Sequence, residues 1–262
     1  MLRNILITTA IIGSFTATAQ QKQGRVIYQR TIEMNISMPG NPQMEGMIPK
    51  TRVNNFELNF NNTIASWKQA EEVEPEEAQA GLVIRFAGSD DLNWFDLATG
   101  RRLQQTELAG KNYLVNDSLV MGNWKITEET KNILGHLCRK AIATVAGKRM
   151  VTSMENGKME RKEVSDTSQS EAWFTTDIPV AAGPEIQGQL PGLILELRTR
   201  SGKVVYVAQE INEKPDLTAL KEPTKGKKMN AADFAKERSR VMQEMEKNNA
   251  GPGGNIRFSV SQ

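Results

Sequence analysis

Alternating apolar and polar residues mark the first strands of the chain. Phe56, Leu58 and Phe60 alternate with polar residues, so their side chains point to one face of an extended segment. A second apolar stretch returns after two asparagines, which predicts a hairpin over residues 52–67. Residues 25–34 are rich in β-branched side chains, contain no glycine and predict another strand.

Short strand patterns continue along the chain at intervals of roughly ten residues. They lie at residues 82–86 and 93–97 and near Arg102, Tyr113, Trp124, Ala141, Met150, Trp173, Leu195 and Val204. They do not alternate with long helical patterns, so a βαβ fold is not expected. The sequence predicts a mainly β fold, either a curved antiparallel sheet or an open barrel.

Helical spacing of apolar residues appears near the end of the chain. Asn230 is a predicted N-cap, and Asp233 places an acidic side chain in the first turn. The apolar residues that recur at helical spacing are Phe234, Val241, Met242 and Met245. We therefore predict a β-rich domain over residues 20–227, followed by a C-terminal helix and a flexible tail over residues 228–262.

The first residues have the pattern of an export signal. Arg3 precedes an apolar stretch that runs to Phe15, and Ala17-Thr18-Ala19 has the small-residue pattern of a cleavage site. We expect residues 1–19 to be a signal peptide and the mature protein to lie in the periplasm or at the periplasmic face of the outer membrane. The rest of the sequence contains no apolar stretch long enough to cross a bilayer.

Charge and cysteine content exclude some classes of function. The chain has 33 basic and 31 acidic residues, a formal net charge of +2, so it lacks the basic footprint of a nucleic-acid-binding protein. The single cysteine, Cys138, has no partner for an intramolecular disulfide, and we expect it to be a small buried hydrophobe.

Specific motifs begin at Trp124. The run from Trp124 to Ala141 is followed by Glu-Ala-Trp-Phe-Thr-Thr-Asp-Ile-Pro at residues 171–179 and by Gly-Gln-Leu-Pro-Gly-Leu-Ile-Leu-Glu at residues 188–196. In order and spacing these motifs resemble the GLPGLI family of exported Bacteroidetes proteins, over roughly residues 124–197. The chain departs from the family at Gln189, where the family motif begins with glycine.

The resemblance implies export and a β-rich fold similar to the LolA-like open barrel, in which a curved sheet surrounds an apolar cavity. It also implies an association with TonB-dependent outer-membrane receptors. It does not point to any particular activity.

The signature Pro191-Gly192 predicts a tight turn with glycine at positive φ, feeding a buried strand that begins at Leu193. Two roles remain open for this turn: it can set the register of that strand, or it can form a docking surface or the mouth of a cavity. For the second role the candidate binding residues are Trp173, Pro179, Leu190, Pro191, Gly192 and Leu193.

A metal-handling alternative rests on His136 and Cys138. In a strand these two side chains face the same side, and imidazole with soft sulfur ligands suits copper or zinc. Thioethers could add to them from the methionines at positions 34, 38, 44 and 47. Two ligands are too few for a closed site, however.

Catalytic motifs are absent from the sequence. It contains no G-x-S-x-G elbow and no phosphate-binding glycine motif, and His136 is the single histidine that could serve as a base. We therefore predict a non-catalytic, cofactor-free binding or accessory protein that holds an apolar ligand or docks to an outer-membrane partner. A carrier should enclose a cavity, whereas a docking protein should have a filled core and an exposed apolar patch.

Overall fold

The computed structural model describes residues 21–34, 50–70, 91–155 and 158–248. The predicted signal peptide, the strand at residues 82–86 and the tail after residue 248 lie outside these residues. So do the methionines at positions 38, 44 and 47.

The described residues form one sheet of twelve strands and one long α-helix. The strands are β1 (Gly24–Glu33), β2 (Thr51–Phe60), β3 (Ile64–Gln69), β4 (Leu92–Asp96), β5 (Arg101–Leu108), β6 (Lys111–Ser118), β7 (Lys125–Ile133), β8 (His136–Glu155), β9 (Lys158–Thr175), β10 (Leu193–Thr199), β11 (Val204–Asn212) and β12 (Lys227–Asn230). The helix, α1, is Ala231–Asn248.

The sheet is open and almost entirely antiparallel. Its strand order is β12-β6-β5-β4-β3-β2-β1-β11-β10-β9-β8-β7, and β12 alone among the described strands pairs in parallel, with β6. Strands β2 to β6 are consecutive neighbours, and connections of two to four residues favour antiparallel pairing within β2–β3, β4–β5 and β5–β6. The mainly β, antiparallel prediction and the hairpin at residues 52–67 are confirmed.

The predicted short strands near Ala141 and Met150 are wrong as separate elements. They belong to β8, a single strand of 20 residues that pairs with the 18-residue β9 as far as Glu155 and Lys158. The pairing of β7 with β8 ends at Ile142, and that of β10 with β9 ends at Glu171. Beyond these points β8 and β9 pair only with each other among the described strands and form a two-stranded arm. A local alternation pattern does not reveal the length of such a strand, because that length depends on pairing with the neighbouring strand.

An aromatic cluster fills the centre of one face of the sheet. Phe56 and Trp67 are stacked with ring centroids 5.0 Å apart, and Trp67 lies 5.5 Å from Tyr28 and 5.9 Å from Tyr206. All four side chains are buried. They come from three separate parts of the chain, so burying them ties β1, β2, β3 and β11 together.

The connection between β9 and β10, residues 176–192, covers this face; we call it the covering loop. Its side chains Ile178, Val180, Ala182 and Leu190 are buried in the core. The carbonyl oxygen of Ile178 accepts a hydrogen bond from the backbone N–H of Leu193 at 3.0 Å, which fixes the loop against β10. The loop therefore completes the core on this face.

A second connection, residues 213–226, runs from β11 in the middle of the sheet to β12 at its end. It passes over Trp94, whose side chain points to the opposite face from Phe95. Trp94 Nε1 donates to the carbonyl oxygen of Leu220 at 3.0 Å, and Arg101 forms a 2.8 Å ion pair with Glu222. This connection brings the chain to the edge beside β6.

The predicted N-cap of α1 is confirmed. Asn230 Oδ1 accepts from the backbone N–H of Asp233 at 2.8 Å, and Asn230 Nδ2 donates to Asp233 Oδ2 at 2.9 Å. The helix contacts the sheet through its first turns, where Phe234 packs 5.3 Å from the ring of Tyr113. Among the described residues, no helix is long and apolar enough to span a membrane.

Candidate docking site

An open groove of about 380 Å³ lies where the segment before β7 meets the base of the β8–β9 arm. Its apolar lining includes Val120, Met121, Trp124, Ala143, Ile186 and Leu197. We call it the Trp124 groove, because the half-buried indole of Trp124 forms part of its wall. Residues from the covering loop, from the arm and from the segment before β7 meet here, so the tertiary fold creates this groove.

Gln189 holds the groove together. Its Oε1 accepts a hydrogen bond from Trp124 Nε1 at 2.7 Å, and its Nε2 donates to the carbonyl oxygen of Val120 at 2.6 Å. The positive φ in this part of the loop belongs to the preceding residue, Gly188, at 72°. Sequence reasoning missed the structural role of Gln189; its one signal was the departure from the family motif at this position.

Two large apolar side chains beside the groove face solvent. Val120 is 75% exposed and Met121 is 72% exposed, and both follow the half-buried Leu119, which packs against the core. Exposed apolar side chains next to a groove are typical of docking surfaces. The groove thus has an apolar wall and an apolar rim.

The predicted positive φ of Gly192 is wrong. Gly192 has an ordinary backbone conformation, and a Cβ at this position would collide with the carbonyl oxygen of Thr175. Glycine is required here because two backbone segments approach closely and leave no room for a side chain. The signature turn therefore packs the end of β9 against the start of β10.

The candidate binding residues of the signature divide into two groups. Leu190 and Leu193 are 3% and 0% exposed and belong to the core, as does Trp173. The exposed candidates are Pro179 and Pro191, while the backbone of Gly192 is buried. This division favours the register-setting and packing role of the turn.

Trp173 is sealed beneath charged side chains. Lys131 Nζ lies 4.2 Å from the ring centroid and forms a 2.7 Å ion pair with Glu196. Trp173 Nε1 donates to Glu171 Oε1 at 2.9 Å, and Lys140 forms a 3.1 Å ion pair with the same carboxylate. The indole N–H of Trp173 is thus hydrogen-bonded, and its ring face is covered by Lys131.

His136 and Cys138 lie in β8, as the metal hypothesis assumed, but they have other partners. His136 Nδ1 lies 3.3 Å from Asp177 Oδ2, a neighbour that sequence reasoning missed. The Cys138 thiol donates to the carbonyl oxygen of His136 at 3.6 Å, and burial raises the pKa of this thiol to about 11. The prediction that Cys138 is a buried hydrophobe is confirmed.

Across residues 21–34, 50–70, 91–155 and 158–248, no three histidine, cysteine or acidic side chains are placed to hold a metal ion together. Of the four methionines in the metal hypothesis, Met34 is described, and it lies just after the end of β1. The contribution of the other methionines stays a prediction from the sequence.

Comparison with known protein families gives one match. Residues 124–196 match the model of a family described as a protein of unknown function (Porph_ging). The matched segment begins at Trp124 and ends within β10, so it contains the whole covering loop and about half of the groove lining, without Val120 and Met121. It coincides with the segment that carries the GLPGLI resemblance. No curated protein matches the chain.

Solved structures show a similar fold. The chain resembles PNGF-II in a C2 crystal form with a TM-score of 0.53 and 18% sequence identity, over 84% of this chain and 33% of that one. PNGF-II in a P21 form gives a TM-score of 0.50 and 18% identity, over 84% of this chain and 34% of that one. The chain thus spans about a third of the length of the PNGF-II chains, and at this identity the likeness concerns the fold alone.

Proposed function

We propose that this chain is a non-catalytic accessory module of the cell envelope that docks to a protein partner through the Trp124 groove. One observation carries the proposal: the apolar face of the sheet is filled by the chain's own covering loop, while apolar side chains beside the groove stay exposed. These are the two features expected of a docking protein rather than of a carrier.

The filled interior argues against a carried apolar ligand. Tyr28, Phe60, Phe174 and Tyr206 rank among the largest fully buried side chains, and the covering loop packs into the same cluster. A site for a lipid would need a cavity where these side chains now lie. Moving the covering loop would also break its backbone hydrogen bonds to β10.

The groove supports the docking role by its chemistry. An apolar anchor from a partner can enter it, and Val120 and Met121 can then lose their exposure to water. At about 25 cal/mol per Å² of apolar surface, burying two such side chains stabilises a complex by roughly 2–4 kcal/mol. That amount is typical of a small group of hot-spot residues in an interface.

The envelope location and a TonB-dependent receptor as the partner rest on the predicted signal peptide and on the family resemblance. The absence of catalysis rests on the sequence and on the chemistry of His136 and Cys138. With its pKa raised to about 11, the Cys138 thiol carries little thiolate at neutral pH, so it is a poor nucleophile.

Site-specific photo-crosslinking tests the docking surface. A photoreactive amino acid replaces Met121 in cells that express the full chain, and the matched control replaces Leu217, which is 69% exposed on another segment. We expect one discrete crosslinked product from position 121 and none from position 217. Equal labelling at both positions, or no product at position 121, would contradict the proposal.

Native mass spectrometry tests the competing carrier role. The mature protein is purified from the periplasm without detergent and weighed intact. We expect the mass of the bare polypeptide. A stoichiometric apolar ligand would show that the protein is a carrier and would overturn the docking proposal.

A further inference from the structure

We propose that the unpaired edge of β8 at residues 143–147 receives a β-strand from a second copy of this chain, formed by residues 255–262. The inference rests on the proposed docking at the Trp124 groove, and it assigns that groove to a second copy of the chain in place of the receptor that the family resemblance implies. It combines a strand edge without a described partner, the groove beside it and a segment with a strand-like sequence pattern.

The acceptor is defined by strand pairing. The pairing of β7 with β8 ends at Lys125 and Ile142, because the chain before Lys125 turns away toward Gln189. From Ala143 onward β8 pairs with β9 on one side and with no described strand on the other. Within the described residues, the backbone groups on that side have no strand partner, so an added strand can pair with them.

The two outermost strands of the sheet, β7 and β12, carry protective features. The pairing of β7 is irregular between Ile126 and Thr130, and that stretch contains Glu128 and Glu129. The edge strand β12 has four residues and presents Lys227 and Lys228. Short strands, irregular pairing and charges are common ways of preventing edge-to-edge association.

Residues 143–147 have none of these features. Their sequence is Ala-Thr-Val-Ala-Gly, without charge or proline, and their pairing with β9 is regular. An uncharged strand with regular pairing on one side and no described partner on the other is a site for pairing with another strand. We therefore place the docking event at this edge.

The groove lies directly beside this edge. Ala143, Thr144 and Ala146 line it together with Met121 and Trp124. A strand added along β8 would point every second side chain toward the same side. Backbone pairing would then hold the strand, and apolar side chains at alternate positions would enter the groove.

The sequence of this chain contains a matching segment. Residues 255–262 read Asn-Ile-Arg-Phe-Ser-Val-Ser-Gln, so Ile256, Phe258 and Val260 alternate with polar residues. Strict alternation of this kind is the pattern of a half-buried strand. The segment follows Gly-Pro-Gly-Gly at residues 251–254, which separates it from α1.

Distance favours a second copy over the same chain. Along the sheet, β8 lies ten strand positions from β12, after which α1 begins, and this path is roughly 48 Å long at the usual strand spacing. The 18 residues of α1 extend roughly 27 Å, and the six residues 249–254 span roughly 20 Å at most. For its tail to reach β8 of the same chain, α1 and residues 249–254 would have to lie in line along the sheet. Met242 and Met245 of α1 are exposed, which argues against a helix laid along the sheet.

Light scattering of the full chain over a dilution series tests the donor. We expect wild-type chains to associate reversibly and Phe258→Asp to weaken association by roughly tenfold or more, which corresponds to about 1.4 kcal/mol. The matched control is Ser259→Asp, which adds the same charge on the other face of the strand and should leave association within about threefold of wild type. Monomeric wild type, or equal effects of both variants, would overturn the inference.

A mixing experiment separates a second copy from the same chain. Met121→Lys, an exposed change at the groove, and Phe258→Asp should each be monomeric alone at a concentration at which the wild type is associated. When mixed, they should associate in pairs, because one variant keeps the donor segment and the other keeps the groove. A mixture that stays monomeric would overturn the inference. This is also the result expected if the segment binds its own chain.

The outcome is distinguishable from failure of the proposed function. If wild type is monomeric but position 121 still crosslinks a different protein, the self-association inference fails and docking stands. If wild type is monomeric and position 121 crosslinks nothing, both fail.

Discussion

The covering loop has no regular secondary structure, yet Ile178, Val180, Ala182 and Leu190 are almost completely buried. By contrast, α1 is regular and amphipathic, yet Met242 and Met245 on it are 56% and 45% exposed. The loop thus completes the core, while the helix contacts the sheet mainly through Phe234 and the side chains around it.

The difference shows that a segment can be buried without regular secondary structure when its backbone N–H and C=O groups find hydrogen-bond partners. The N–H groups of Val180 and Ala182 donate to the carbonyl oxygens two residues earlier, at 2.8 and 2.7 Å, and further bonds join the loop to β10. A loop paired in this way can be buried without unsatisfied polar groups. A helix satisfies its own backbone and remains stable with one face in water.

Truncation of a core residue under the loop should have the largest effect. Leu193→Ala should lower the free energy of unfolding by about 3 kcal/mol, because Leu193 is fully buried and its truncation leaves a cavity. Met242→Ala on the exposed part of α1 should change it by less than about 0.5 kcal/mol. Urea denaturation of both variants measures the two changes in the free energy of unfolding. Similar changes would show that the core under the loop and the exposed part of α1 contribute equally to stability.

Gly192→Ala should be the next most damaging change. The added Cβ meets the carbonyl oxygen of Thr175, so β9 and β10 must move apart, at a cost of about 1–3 kcal/mol. Gly100→Ala is the matched control: it has open space but a φ of 71°, so it should cost about 1 kcal/mol through backbone strain alone. A smaller loss for Gly192→Ala than for Gly100→Ala in urea denaturation would argue against the close approach.

Loss of the helix cap should act locally. Asn230→Ala removes the acceptor for the backbone N–H of Asp233 and should destabilise α1 by about 1 kcal/mol. We expect faster amide hydrogen exchange throughout α1 and unchanged exchange in β1, β2 and β10. Faster exchange in those central strands would show that α1 belongs to the cooperative core.

The smallest effect concerns pH and the charges over Trp173. Burial raises the pKa of Glu171, but hydrogen bonds from Trp173 and Lys140 outweigh it and hold the pKa below its ordinary value of 4.5. A lowered pKa in the folded state stabilises the fold above pH 4.5, and this contribution is lost as pH falls through the folded value.

Glu171→Gln should therefore be less stable than wild type at neutral pH by at most about 1 kcal/mol, because the ion pair is partly exposed. The deficit should shrink as pH falls below 4.5. Urea titrations at a series of pH values measure it, and a deficit independent of pH would mean that Glu171 acts through packing or shape rather than through its charge.

Much of the fold was predictable because its signals are local. The alternation of Phe56, Leu58 and Phe60 predicted β2, and Asn230 with Asp233 predicted the start of α1. The candidate site was less predictable. Sequence reasoning placed binding at the signature turn, where Leu190 and Leu193 are buried, and assigned no role to Met121 or Gln189.

That failure has a physical reason. Leu190 and Met121 are both apolar, and no pattern within a few residues distinguishes the one that packs against β10 from the one that faces water. The same limit applies to Gly192, where glycine signals either positive φ or close approach. The Thr175 carbonyl that decides between them lies 17 positions away in the chain.

By itself, the sequence determined which segments are extended, where the helix begins and that Cys138 has no disulfide partner within the chain, because side-chain periodicity, capping and composition are properties of neighbouring residues. Tertiary structure alone decided that β1 lies between β2 and β11, that the covering loop fills the apolar face and that Gln189 joins Trp124 to form a groove. These features depend on contacts between residues far apart in the chain, and their energies exist only once the strands have paired.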